Sequence, residues 1–227
     1  MPDVLAIGLE RFLNGMPSPD RKAASRILEP CPTVEIDGGG RRFGPAFTSG
    51  TLLLVMEGFV VLRATVEGGQ RSVVTCEAGA GTIVLPPPAD GVLVALGESR
   101  LLVIDQDTRR RLLRIPALAE RIVEQLAEAL GQKQDATANF APTHHVERVR
   151  RKLIQLGASY GHVGRDGIRI DFPVSHALLA EMIGSSRETV TRAVDELQRG
   201  GFVARRGSTY RLLVSPESVL EPSQPPS

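Results

Sequence analysis

Two hydrophobic periodicities divide this chain. From about Thr33 to Ile104, apolar residues come in short runs broken by Gly and Pro: "TVEIDGGG", "TLLLVMEGFVVLRATVEGGQ", "RSVVTCEAGAG", "TIVLPPPADG" and "VLVALGESRLLVID". Runs this short and this closely punctuated predict the strands of a sandwich or barrel. The turns "EGG", "GAG" and "ADG" offer positions for positive φ, and "LPPP" cannot continue a central strand because proline has no N–H to give to a ladder. Upstream, Val4–Leu13 fits a short amphipathic helix, and the rest of residues 1–30 is poorly patterned.

After Asp105 the spacing becomes helical. In "DTRRRLLRIPALAERIVEQLAEALGQKQ", Leu118, Ile122, Leu126 and Leu130 recur every fourth residue, and Val123 and Ala127 widen the stripe beyond what one packing surface needs. Such a helix can pack against its own barrel and against a second copy of itself, the alternative being an ordinary single-sided surface helix. Ile115, Leu118, Ile122, Leu126 and Leu130 are therefore the expected dimerisation residues. "ANFAPT" breaks the helix, and Thr143 is placed to cap the next.

That next helix, "HHVERVRRKLIQLG", has Val146, Val149, Leu153 and Leu156 on one face and Arg148, Arg151 and Lys152 on the other. "GRDGIRIDFP" reads as a turn and a short strand. Ser175 stands at an N-cap position before "HALLAEMIG", whose Leu178, Leu179, Met182 and Ile183 form an apolar face, and Gly184 suits a left-handed stop. Then comes "SSRETVTRAVDEL", with Val190, Val194 and Leu197 at i, i+4 and i+7. Helix, glycine turn and helix, with Ala180 small enough for the two backbones to approach, make a helix-turn-helix. "RGGFVARRGSTYRLLV" follows as a two-stranded hairpin turning at Gly207, with Arg205 and Arg206 on its approach, which makes the motif winged.

Charge sharpens this division. The net charge of the chain is only +1. Residues 143–215, however, hold 12 Lys+Arg against 7 Asp+Glu, whereas residues 1–142 hold 15 against 17. A basic segment around a helix-turn-helix suits a polyanion. No apolar stretch approaches the ~18 residues of a membrane span, and the N-terminus lacks the basic and apolar regions of a leader, so a cytoplasmic location is expected with no membrane partner. Cys31 and Cys76 are too few for a disulfide framework or a four-cysteine iron–sulfur cluster and read as buried or half-buried thiols.

With its apolar residues turned inward, the second helix of the motif points Arg187, Glu188, Thr191 and Arg192 outward near its start. In a major groove, Arg binds guanine O6 and N7 bidentately, and Glu accepts from cytosine N4. Ser186 and Thr189, beside the N–H groups of the helix start, suit phosphate. A plainer reading stays open for Ser185 and Glu188, which fit a Ser-x-x-Glu capping box that needs no DNA.

The stretch "LLAEMIGSSRETVTRAVDELQRGGFVARRGSTYRLLV" resembles the DNA-binding domain of the Crp/Fnr family of bacterial transcription regulators. The resemblance implies an α+β chain. Its expected parts are a double-stranded jelly-roll-like β-barrel sensor over residues 1–108, a dimerisation helix and hinge over 109–141, a winged helix-turn-helix over 142–216 and a disordered tail over 217–227. It implies that Arg187, Glu188 and Arg192 read bases in a TGTGA-like half-site. Ser175, Ser186, Thr189, Thr191, Arg205, Arg206 and Ser208 complete the expected DNA-binding set. The implied partners are a palindromic double-stranded operator, a second copy of the chain and RNA polymerase.

The sensor half departs from the family where a cyclic nucleotide would bind. Members that take one have a Gly-Glu pair for the ribose and, after a short helix, an Arg for the phosphate. The corresponding "GAGTIVLPPPADGVLVAL" has neither Glu nor Arg, and Pro86-Pro87-Pro88 opposes the helix. A buried phosphate would find little to offset its lost hydration. Arg63 or Arg71 on neighbouring strands offers a substitute cation. No Cys-x-His haem pair is present, and adjacent His144 and His145 diverge by ~100° on a helix, which disfavours a shared metal. No cofactor is expected. No nucleophile with an adjacent base, and no acid–base pair, points to an enzyme. The competing reading is a small-molecule or second-messenger module whose winged helix contacts protein, and the salt dependence of DNA affinity separates the two.

Overall fold

Leu52–Glu57 (β2) is buried on both faces, and that sets the layering of the N-terminal half. Alternate side chains of a strand point to opposite faces, so Leu52, Leu54 and Met56 enter one core while Leu53 and Val55 enter another. The uninterrupted run "TLLLVM" follows from this double burial. The computed structural model describes residues 6–38, 50–66, 71–86, 91–138 and 145–214, and the chain divides into two units, Met1–Asp135 and Ala136–Ser227.

In the first unit, Thr33–Ile36 (β1), β2, Ile83–Val84 (β5) and Ser99–Ile104 (β7) form a four-stranded sheet in the order β1-β7-β2-β5. Phe59–Val66 (β3), Arg71–Gly79 (β4) and Val92–Ala95 (β6) form a second sheet in the order β4-β3-β6. Leu53, Val55, Val60, Leu93 and Leu101 fill the space between the sheets. The expected barrel is thus a two-sheet, jelly-roll-like sandwich, and neither sheet closes on itself among the described residues. Pro87 and Pro88 lie outside those residues, as do Thr143, His144 and the tail 217–227.

Helices cover the other face of β2. Ala6–Phe12 (α1) lies where a short helix was expected, and a Cβ on Gly8 would come within 2.5 Å of the Met56 Cα and the Val55 carbonyl oxygen. Only glycine permits this backbone-to-backbone approach. Ser18–Leu28 (α2), which the pattern did not reveal, buries Ala24 and Leu28. The segment after Asp105 is two helices rather than one. Gln106–Leu112 (α3) is capped by the Asp105 carboxylate, which accepts from the Thr108 N–H at 2.7 Å, and Pro116–Ala138 (α4) begins with proline, which suits the first turn of a helix.

The stripe on α4 is divided between two surroundings. Ile115, just before the helix, and Leu118 and Ile122 are at most 8% exposed and belong to the core of their own unit. Val123, Leu126 and Leu130 are 63%, 41% and 58% exposed. Of the five residues assigned to dimerisation, only Leu126 and Leu130 are therefore available to a partner. Gln125 ties the helix down: its amide oxygen accepts from the Ile83 N–H at 3.0 Å and its amide nitrogen donates to the Gly81 carbonyl at 2.9 Å. Gln125→Ala leaves both backbone groups unsatisfied. Urea denaturation should show a loss of about 1–3 kcal/mol.

The second unit comprises His145–Tyr160 (α5), His162–Gly164 (β8), Gly167–Ile170 (β9), His176–Ile183 (α6), Arg187–Arg199 (α7), Val203–Arg206 (β10) and Thr209–Leu212 (β11). Val149, Leu153, Val190, Val194, Ile168 and Tyr210 are buried in it. The expected two-stranded wing belongs to a four-stranded sheet, β10-β11-β9-β8. β11 pairs with β9 in the register Tyr210↔Ile170 and Leu212↔Ile168, which puts all four side chains on the buried face.

Candidate nucleic-acid interface

Three local devices set the angle between α6 and α7. Ser175 caps α6, its hydroxyl accepting from the Leu178 N–H at 3.1 Å. Gly184 stops the helix at φ 61 and ψ 46, a left-handed conformation that costs glycine nothing. From α5, the Arg148 guanidinium donates to the Ile183 carbonyl, a last-turn acceptor left without a partner inside the helix.

Ser186 then starts α7. Its hydroxyl accepts from the Thr189 N–H at 3.2 Å and lies 2.9 Å from the Thr189 hydroxyl. The capping serine is therefore Ser186 and not Ser185, which corrects the Ser185–Glu188 box. Glu188 sits in the first turn, fully exposed, and its carboxyl is held below the usual carboxylate range. The cause is first its own backbone N–H, then the Ser186 hydroxyl, with Arg187 and Arg192 adding to both.

Residues 147–218 match the model of the Crp-like helix-turn-helix domain. Those residues are a Crp-like helix-turn-helix domain, and the chain is similar to transcription regulators of the Crp/Fnr type. Its likeness extends beyond that domain. The CRP-like cAMP-activated global transcriptional regulator of Mycobacterium tuberculosis is 23% identical over 193 residues, 82% of this chain and 85% of that protein. The global nitrogen regulator of Synechocystis is 33% identical over 89 residues, 39% of this chain and 40% of the relative. In three dimensions, the c-di-GMP responsive global regulator CLP of Xanthomonas campestris matches with a TM-score of 0.65 at 22% identity, covering 86% of this chain and 99% of that one.

On the outer face of α7, Arg187, Glu188 and Arg192 are exposed while Val190, Val194 and Leu197 close the opposite face. Thr191 departs from its expected outward position. It is half-buried, donates its hydroxyl to the Arg187 carbonyl at 2.9 Å and meets His176 Nδ1 at 2.9 Å. Arg205 and Arg206 are exposed on β10, with the Arg205 guanidinium 5.9 Å from the Tyr210 ring centroid. The wing is not a free flap. The Ser208 carbonyl accepts from the Val174 N–H at 2.7 Å, which fastens the hairpin turn to the residue before the Ser175 cap.

Ser175, Ser208, the first turn of α7 and Arg205 are thus held on one framework. Sequence spacing missed His176, Arg148 and the Val174–Ser208 tie, because each joins residues distant along the chain and no local period marks such a contact. His145 opens α5 and is exposed; among the described residues no cluster of three His, Cys, Asp or Glu side chains is placed to hold a metal ion. Cys31 and Cys76 are half-buried cysteines in no disulfide, and burial pushes the Cys31 thiol up.

Proposed function

We propose that this regulator binds a palindromic operator as a homodimer, each copy reading a TGTGA-like half-site with Arg187, Glu188 and Arg192, and that cyclic AMP does not control it. The observation that carries the reading is the outer face of the first two turns of α7. It exposes two guanidinium groups and an ionised carboxylate together, on a helix whose other face is sealed. Such a face offers donors for guanine and an acceptor for cytosine.

Around it, Ser186, Thr189, Arg205 and Arg206 hold the phosphates, with Ser175 and Ser208 flanking them, and these contacts set register without reading sequence. Two-fold symmetry of the dimer places the half-sites about one helical turn, ~34 Å, apart. RNA polymerase is the further partner of a regulator acting at a promoter. Measuring affinity for a palindromic duplex against salt tests the assignment. Log affinity should fall steeply and linearly with log salt, and a flat dependence would contradict it.

The case against cyclic AMP rests on the Gly79–Leu96 interval. The Ile83 N–H and the Gly81 carbonyl, which a phosphate-binding turn would keep for ligand and water, are taken by Gln125, and Pro86 has no N–H to offer. With no arginine in the interval, the negative charge of a bound cyclic phosphodiester has no cation there to offset its lost hydration. Calorimetric titration with cyclic AMP and cyclic GMP is expected to give no heat of binding at micromolar concentrations. Neither nucleotide should tighten DNA binding, and a micromolar affinity coupled to tighter binding would overturn this part of the reading.

A further inference from the structure

The start of α6 and the middle of α7 are joined by a contact that base reading does not itself require. His176 is the first residue of α6, and its Nδ1 lies 2.9 Å from the Thr191 hydroxyl. That hydroxyl gives its single hydrogen to the Arg187 carbonyl at 2.9 Å, so toward the imidazole it can only accept. The tautomer follows: Nδ1 carries the hydrogen, and in the neutral ring Nε2 is a bare lone pair. Nε2 is buried and has no hydrogen-bond partner among the described residues.

Two cations and one anion face this ring, Arg187 and Asp195 from α7 and Arg205 from β10. Burial first, then Arg205, hold the His176 pKa below its ordinary 6.5; Arg187 acts the same way and Asp195 opposes them. Protonation would put a hydrogen on Nε2 with no acceptor and a third positive charge beside two guanidinium groups.

We propose that His176 is a positioning residue of the DNA-reading surface, one that fixes the Thr191 hydroxyl and through it the Arg187 carbonyl, and that takes up a proton when DNA binds. The proposal rests on α7 being the base-reading helix. Arg187 can meet a base edge repeatedly only if the first turn of α7 is held, and the imidazole holds it from a different element. The Nδ1–H bond survives protonation, so positioning persists at every pH. What changes on DNA binding is the charge near the ring. Phosphates brought to Ser186, Arg205 and the α6 start favour the imidazolium and raise its pKa relative to free protein.

Affinity for DNA therefore rises as pH falls through the interval between the two pKa values and is independent of His176 above both. In the free protein the sign is the reverse. The folded pKa lies below the unfolded one, so the stability due to neutral His176 is complete above about 6.5 and is lost as pH falls through the lowered value.

The test uses the full chain and four proteins: wild type, His176→Asn, His176→Ala and Arg187→Ala. Asparagine keeps an N–H donor near the Nδ1 position and cannot titrate; the other histidines are common to all four. Fluorescence anisotropy with palindromic and scrambled duplexes, at constant ionic strength, is run from pH 6 to pH 8.5. Wild type should bind the palindrome about three- to tenfold more tightly at pH 6 than at pH 8, the scale of a pKa rise of up to one unit. His176→Asn should match wild type at pH 8 but lose the pH dependence, and His176→Ala should bind more weakly throughout. Calorimetry in buffers of different ionisation enthalpy should show proton uptake toward the acid end of that range in wild type and none in His176→Asn.

His176→Ala binding like wild type at every pH, or His176→Asn retaining the pH dependence and the uptake, would overturn the proposal. Failure of the base-reading assignment shows elsewhere: Arg187→Ala would keep the full preference for the palindrome over scrambled DNA.

Discussion

Arg187→Ala should bind the palindrome more weakly than wild type by about 1–3 kcal/mol per half-site while its affinity for scrambled DNA is nearly unchanged. The argument begins at the helix start. Arg187 is the first residue of α7 after the Ser186 cap and is exposed, so its guanidinium projects from the turn proposed to enter a groove. A guanidinium donates two parallel hydrogen bonds to guanine O6 and N7, and removing it leaves those acceptors desolvated without a partner. Because the loss depends on the base, it must appear as lost preference. Arg206→Ala, at a phosphate position on the wing, is the control: it should weaken all sequences alike and reduce the salt slope. Anisotropy titrations on matched and scrambled duplexes measure both. Equal losses on the two duplexes for Arg187→Ala would make it a phosphate residue.

A still larger effect is expected on α4. Leu126→Glu combined with Leu130→Glu should convert the dimer to a monomer and lower affinity for the full palindrome by about a hundredfold or more, because the second half-site is then no longer bound intramolecularly. Leu126 and Leu130 are 41% and 58% exposed, so charges there are hydrated in the monomer and its fold should survive. Their cost would fall on the proposed dimer contact, where they would be buried. Leu118→Glu is the contrasting change. Leu118 is 0% exposed within its own unit, and a carboxylate there should unfold that unit rather than only part the dimer. Sedimentation with circular dichroism distinguishes these results, and a folded Leu126→Glu/Leu130→Glu dimer would remove α4 from the interface.

The parts of this molecule that are local in sequence were legible there. Gly184, Ala180 and the Val190–Val194–Leu197 spacing lie within a few helical turns of one another, and their pattern predicts the helix-turn-helix with its inner and outer faces. The cap was ambiguous for a physical reason. Ser185 and Ser186 are both cap formers, and the left-handed turn at Gly184 decides which one leaves the helix.

Nothing local separates Leu118 from Leu126 on α4. Both are leucines on the apolar stripe, and only the placement of the other helices and the sheet shows which is already covered. The break between α3 and α4 was available in Pro116, which suits the start of a helix better than its interior, yet the continuous leucine spacing across it concealed the boundary. His176 and Thr191 are far enough apart in sequence that their meeting depends on the completed turn. The pairing of β9 with β11 was hidden because a strand's second neighbour leaves no mark on its own alternation.

That pairing bears on how the protein is made. In the order β10-β11-β9-β8, β11 joins β10 to β9 and is, among the described residues, the last element in chain order. Until it emerges, β9 and β10 each lack a partner edge, and the Ser208 carbonyl has no completed hairpin to hold it against Val174. A nascent chain ending before Thr209 thus contains the whole of α7 but not the sheet that supports it. α7 is thus complete before the sheet that supports it, and the helix-turn-helix is organised only once β11 has been made.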